Sequence, residues 1–258
     1  MIEFLCRRPY ASDGFSGAFL IVTVHQPHFT PWLGYLHRMA QADLFVVLDH
    51  VQFERRNYQN RTLIRFNDEA RWLTVPVEQH SQKERIAEKL IDNGLHGTAR
   101  WWAHAHIQTI RHAYRDAPHL AEYLPALRRI LETRWTRLVE MNAAMLEFLR
   151  DAFAIRTRIV RSSELQVEGA KSQLILNLCR AVGADTLLAG LGGSRDYLDK
   201  AEFERHGIRI AYQEFEHPVY RQCGTAPFIK GLSSLDLLLN CGPASRDLLL
   251  KEKVRVAA

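Results

Sequence analysis

The chain has 258 residues, of which 47% are apolar, 24% charged and 10% aromatic. That balance supports one large core, or one core with a small subdomain, and excludes disorder as the main state. A net charge of +5 and a pI near 9.1 suit an anionic ligand but fall short of a dedicated nucleic-acid binder, and no apolar run approaches the roughly 20 residues that cross a bilayer.

Residues 1–20 lack the basic-then-apolar order of a secretory signal and read as an N-terminal extension. Cys6, Cys179, Cys223 and Cys241 stand far apart with no CxxC pair, which is the usage of reduced thiols. A cytoplasmic protein is expected. Residues 21–258 then form the fold. A β-rich run over 21–24 stops at the turn residues His25-Gln26-Pro27. After Pro31, Leu33, Leu36, His37 and Ala40 share one helical face, and the continuous apolar run 44–48 has the length of a strand buried on both sides. This is a βαβ unit, so the fold class is α/β with a mostly parallel, Rossmann-like sheet.

Residues 71–77 alternate as an edge strand ending near Pro76. A helical elaboration follows over about 99–154, with Trp102, His106, Ile110 and Tyr114 four apart and breaks expected at Pro118 and Pro125. A strand at 157–160, a helix at 171–182 ending in Gly183 and a strand at 186–189 restore the alternation. A strand at 208–212 and helices at 233–239 and 246–254 close the chain.

The chemistry concentrates after the strands. His25, Gln26, Pro27, His28, Pro31 and Trp32 follow the first, where open α/β sheets bind ligands, and the prolines fix the loop. Asp49, Gln52, Arg55, Arg56, Asn60 and Arg61 follow the second, with guanidinium forks that match carboxylate or phosphate oxygens; a solvated charged face is the plain alternative. Lys171-Ser172 opens a helix, a seat for an anion, but lacks the earlier glycine of a P-loop. Gly190, Gly192 and Gly193 form a turn ahead of Tyr197, and His217-Pro218 precedes Tyr220. His104 and His106 are two apart and cannot share an ion on a helix, and no GxSxG elbow is present; no metal site is expected.

In order and spacing these residues resemble the WbqC-like protein family. Its signature is similar to His25-Gln26-Pro27 through Pro31-Trp32-Leu33-Gly34, then Asp49, Gln52, Phe53, Asn60 and Arg61, then Trp102, His106, Ile110 and Tyr114. Ser162-Ser163, Lys171-Ser172, Gly190 with Tyr197-Leu198, His217-Pro218 with Tyr220, and Leu232-Ser233 with Asp236 complete a match over about 21–242. The first loop is also partly similar to the HxGH arrangement of nucleotidyltransferases, with Pro31-Trp32 where the second histidine would stand.

The resemblance implies a cytosolic enzyme of surface-glycan biosynthesis, attaching an acyl or aminoacyl group to an amino sugar that is itself nucleotide-linked and anionic. His25 is then general base or phosphate contact, with Asp49 and Gln52 orienting the amine. Arg56, Arg61 and Lys171 hold an anionic donor or sugar pyrophosphate. Gln26, Trp32, Asn60, Ser172, Gly192, Gly193, Tyr197, His217 and Tyr220 complete the expected substrate site. Nucleotidyl transfer and a non-catalytic scaffold are the alternatives. No motif specifies a cofactor; a nucleotide or Mg²⁺ stays open, as do tRNA as donor and the oligomeric state.

Overall fold

The computed structural model describes residues 19–81, 83–190, 192 and 197–251. Residues 1–18, most of the expected extension, and Gly193 lie outside the described set. Five strands, β1 (Ile21–His25), β2 (Leu44–Val47), β5 (Arg158–Arg161), β6 (Thr186–Ala189) and β7 (Arg209–Tyr212), form one parallel sheet in the order β5-β2-β1-β6-β7. The fold is therefore α/β and Rossmann-like, as the alternation predicts. Leu20 already belongs to it: its N–H donates to Asp185 and its carbonyl accepts from the Asp185 N–H.

β2 shows why a continuous apolar run becomes a central strand. Phe45 and Val47 enter the core on one face of the sheet, while Leu44 and Val46 enter the other. Side chains alternate across a strand, so a run with no polar member is stable only where both faces are covered. The first face is covered by α1 (Leu33–Ala40), which contributes Leu33, Leu36 and Met39. The second is covered by α5 (Lys171–Val182), with Leu174, Leu178 and Cys179, and by Phe203 of the short α6 (Lys200–Arg205). Gly183 ends α5 at φ 75°, the left-handed C-cap its position predicts.

Between β2 and β5 the chain leaves the sheet. It builds an antiparallel hairpin, β3 (Arg61–Phe66) with β4 (Glu69–Thr74), then α2 (Trp102–Ala113), α3 (Leu120–Leu131) and α4 (Leu138–Ala152). α7 (Ser234–Cys241) and α8 (Ser245–Leu250) follow β7, and Leu235, Leu238 and Leu249 extend the α1-side core into this helical region. Pro125 does not break the segment as expected. It sits inside α3, where it and Ala121, whose carbonyl loses its donor, are both exposed, so the loss falls on the solvent side of the helix and not in the core. Among the described residues no helix is long and apolar enough to cross a membrane.

Candidate functional site

The order of the parallel strands reverses beside β1, with β2 and β5 added to one side and β6 and β7 to the other. Open α/β sheets leave a crevice at such a reversal, outside the carboxyl ends of the strands. Here it is a cleft of about 740 Å³. β1 supplies Val24 and His25, its loop supplies Gln26 and Trp32, and α1 supplies Gly34 and Arg38, one turn apart. β6 and the glycine turn contribute Ala189, Gly190 and Gly192, and Tyr197, Leu198, Gln213 and Phe215 complete the wall.

His25 joins the cleft to an aromatic cluster behind it. The His25 ring lies 4.7 Å from those of His28 and Tyr35, edge-on to both, and His28 stacks on Tyr58 at 5.4 Å. Burial pushes the His25 imidazole well below its ordinary range, helped by Arg38 and by the neighbouring His28 ring, which resists a second proton beside it, and opposed by the Gln26 carbonyl. Burial and Arg38 push His28 down to about 3. His25 Nδ1 lies 2.9 Å from the Gln26 carbonyl oxygen. That oxygen only accepts, so the ring proton sits on Nδ1 and Nε2 keeps its lone pair. Gln26 is itself fixed, because Gln59 Nε2 donates to its Oε1 at 2.8 Å.

One wall is apolar: Trp32 and Phe215 meet at 5.8 Å. The wall depends on Gly34, since a Cβ there would collide with the Trp32 ring. Gly34→Ala should therefore swing Trp32 away and quench or shift its emission, while α1 still forms; an unchanged Trp32 signal would show that the contact is not what orients the ring.

Asp49 does not join this cleft. Its fully buried carboxylate accepts from Arg161 Nε (2.7 Å), Ser162 Oγ (3.1 Å), Ser163 N (2.9 Å) and Ser163 Oγ (2.8 Å). With its acceptor capacity spent on β5 and the turn after it, Asp49 clamps two strand ends and is unsuited to orient an amine. His50 Nδ1 lies 2.6 Å from Ser162 Oγ. This is no nucleophilic triad, because Ser162 is buried and the carboxylate touches the serine, not the histidine.

The other expected residues divide by place. Gln52 lines a second cleft of about 550 Å³ with Phe53, Arg55, Gln79, His80 and Lys89, and Glu54 borders both clefts. Asn60 is buried, donating to the Val75 carbonyl. Arg61 lies over the Trp72 ring at 4.1 Å and donates to the carbonyl of exposed Arg56, so neither guanidinium lines a cleft. Lys171 is exposed and Ser172 Oγ accepts from the Asp199 N–H; α5 reaches the main cleft through Ile175 instead. His217 touches the rim only through Phe215, at 6.0 Å, and Tyr220 donates to buried Asp236. The site is thus His25, Gln26, Trp32, Gly192 and Tyr197 from the expected set, joined by Gly34, Arg38, Gly190, Gln213 and Phe215. Arg38 is not among the residues the sequence singled out; its spacing of four from Gly34 is the signal that sets both on one face.

Among the described residues no three His, Cys, Asp or Glu side chains gather as a metal site. No solved structure matches the chain. The uncharacterized protein Rv1507c of Mycobacterium tuberculosis (strain ATCC 25618 / H37Rv) is 31% identical over 231 residues, which cover 88% of this chain and 96% of that protein. The profile of the WbqC-like protein family matches residues 26–248, a span holding the loop after β1, the glycine turn, the second cleft and the lining of the main cleft apart from Val24 and His25, and the chain belongs to that family.

Proposed function

We propose that this protein is a transferase that binds a nucleotide-linked amino sugar in the main cleft and joins an acyl or aminoacyl group to the sugar amine. The observation that carries the reading is the state of His25: a neutral imidazole, proton on Nδ1, lone pair on Nε2, lining a cleft at the sheet's reversal point. An amine attacks an acyl carbon only as the free base, and the proton it sheds on forming the amide must go to a nearby acceptor. His25 Nε2 takes that proton and returns it to the leaving group. Its depressed pKa keeps it unprotonated throughout the neutral range, ready to accept.

Gln26, held by Gln59, offers an amide to sugar hydroxyls, and the Trp32–Phe215 wall offers an apolar face to a sugar or base. Nucleotidyl transfer is the second reading, favoured by the sheet order together with the buried cation Arg38 beside the glycine turn. A thermal-shift panel of nucleotide-sugars against ATP, CTP and dTTP with Mg²⁺ separates the two. With the substrate so found, His25→Gln should lower turnover by roughly 10²–10⁴-fold at nearly unchanged affinity. Turnover within a few fold of wild type would remove the base from His25, and a panel in which nothing binds would overturn the reading.

A further inference from the structure

We propose that Arg38 is the anion anchor of the main cleft and that the group it takes is a phosphoryl group of the bound ligand. This rests on the nucleotide-linked reading above and adds the residue and the chemical handle to it.

Arg38 lies on α1 at 7% exposure, and its buried Nε has no hydrogen-bond partner. Among the described residues no carboxylate pairs with it; Tyr35 and Tyr197 are the groups that favour its charge, and burial disfavours it more strongly than they support it. A guanidinium stays charged at any physiological pH, so a buried one without an anion is held at a cost to the empty fold. Cations so placed are ordinarily matched by a counter-charge, and the open side of Arg38 is the cleft it lines.

Gly190 gives independent support. A Cβ at Gly190 would collide with Arg38 Nη1, so glycine at the end of β6 lets the fork keep its present position. The two residues come from opposite sides of the reversal point, from the β1 and β6 connections, and meet where that fold geometry seats charged groups. The fork suits carboxylate and phosphate oxygens alike; what favours a phosphoryl is that a cleft of about 740 Å³ with an aromatic wall has room for a base or sugar beyond the anion.

Calorimetric titration of the full chain tests this with inorganic pyrophosphate, UDP, uridine and succinate as probes, on wild type, Arg38→Met and Arg38→Lys. The expected result is that pyrophosphate and UDP bind wild type and weaken about 10–100-fold in Arg38→Met, the range of a charged hydrogen bond. The Tm of Arg38→Met should equal or exceed that of wild type, because a buried charge that no described carboxylate matches has gone. Arg38→Lys, keeping the charge without the fork, should fall between and stands in if Arg38→Met does not fold.

A Tm loss of several degrees in Arg38→Met and Arg38→Lys, with probe affinity within two-fold, would make Arg38 structural and overturn the proposal. So would binding of succinate in place of the phosphates, or no binding by any probe. Equal UDP affinity in wild type and Arg38→Met overturns the anchor and leaves the nucleotide reading standing. Arg38-dependent pyrophosphate binding without any nucleotide-sugar binding upholds the anchor and overturns that reading instead.

Discussion

Asp49→Ala lowers the unfolding free energy by about 3–5 kcal/mol, the cost of breaking a buried charge network from one side. The fully buried carboxylate accepts four hydrogen bonds from Arg161, Ser162 and Ser163, and its removal strands those donors between β2 and β5. In a chain of this size the loss corresponds to a Tm drop on the order of 10 °C. Asp49→Asn, which keeps the shape and one acceptor oxygen, should lose less. Differential scanning calorimetry on the two variants checks the assignment. A Tm within 2 °C of wild type, with ligand turnover abolished, would return Asp49 to the reacting groups.

The second large effect is on acid stability. His28 is held at about 3 in the fold, first by burial and then by the charge of Arg38, against about 6.5 in an unfolded chain. Between those values the unfolded state binds a proton that the folded state refuses, so stability falls as pH drops. Above pH 6.5 both states are neutral and the contribution is at its full value; by about pH 3 it is gone. The slope is about 1.4 kcal/mol per pH unit for His28, and His25, depressed in the same direction, adds to it. The groups facing His28 are His25, Tyr35, Tyr58 and Arg38, none of which supplies a negative charge near neutrality. Urea midpoints measured from pH 7.5 to 4.5 should fall steadily, and His28→Phe should flatten the curve while keeping the ring stack. A profile equally steep in both proteins would move the effect to other groups.

The sheet was legible because its signals are local. The run Leu44 to Leu48, the helix closed by Gly183 and the strand at Thr186–Ala189 each announce themselves within thirteen residues. β3 was not read as a strand: Arg61 and Arg65 give it a charged look, and only the structure shows Thr62, Ile64 and Arg65 buried against the helical region. Its turn is made by Asn67 and Asp68, both with positive φ, a pairing that signals a tight hairpin once the flanking strands are known. For the site, His25 and Trp32 follow from the rule that ligands gather at strand ends. The same rule misleads at Asp49, which also ends a strand but meets β5 there instead of the cleft. Spatial neighbours of a strand end depend on strand order, and strand order is not a local property of sequence. Arg38 stayed hidden for the same reason, since what it faces is Gly190, on the far side of the sheet's reversal.

Strand order also governs the time at which the protein can exist. β2 must wait for β5 to be synthesised before Asp49 meets its partners, 112 to 114 residues later in the chain. At roughly 5–20 residues per second of synthesis, on the order of ten seconds pass in which an apolar strand has one of its two flanks uncovered. β6, which covers the other flank of β1, emerges later still. Contacts of such sequence separation slow folding and expose strand edges to other chains. The hairpin and three helices between them emerge during this interval, and their apolar faces share the core that receives Phe45 and Val47. The insertion thus shelters one face of the half-built sheet while its edges remain open.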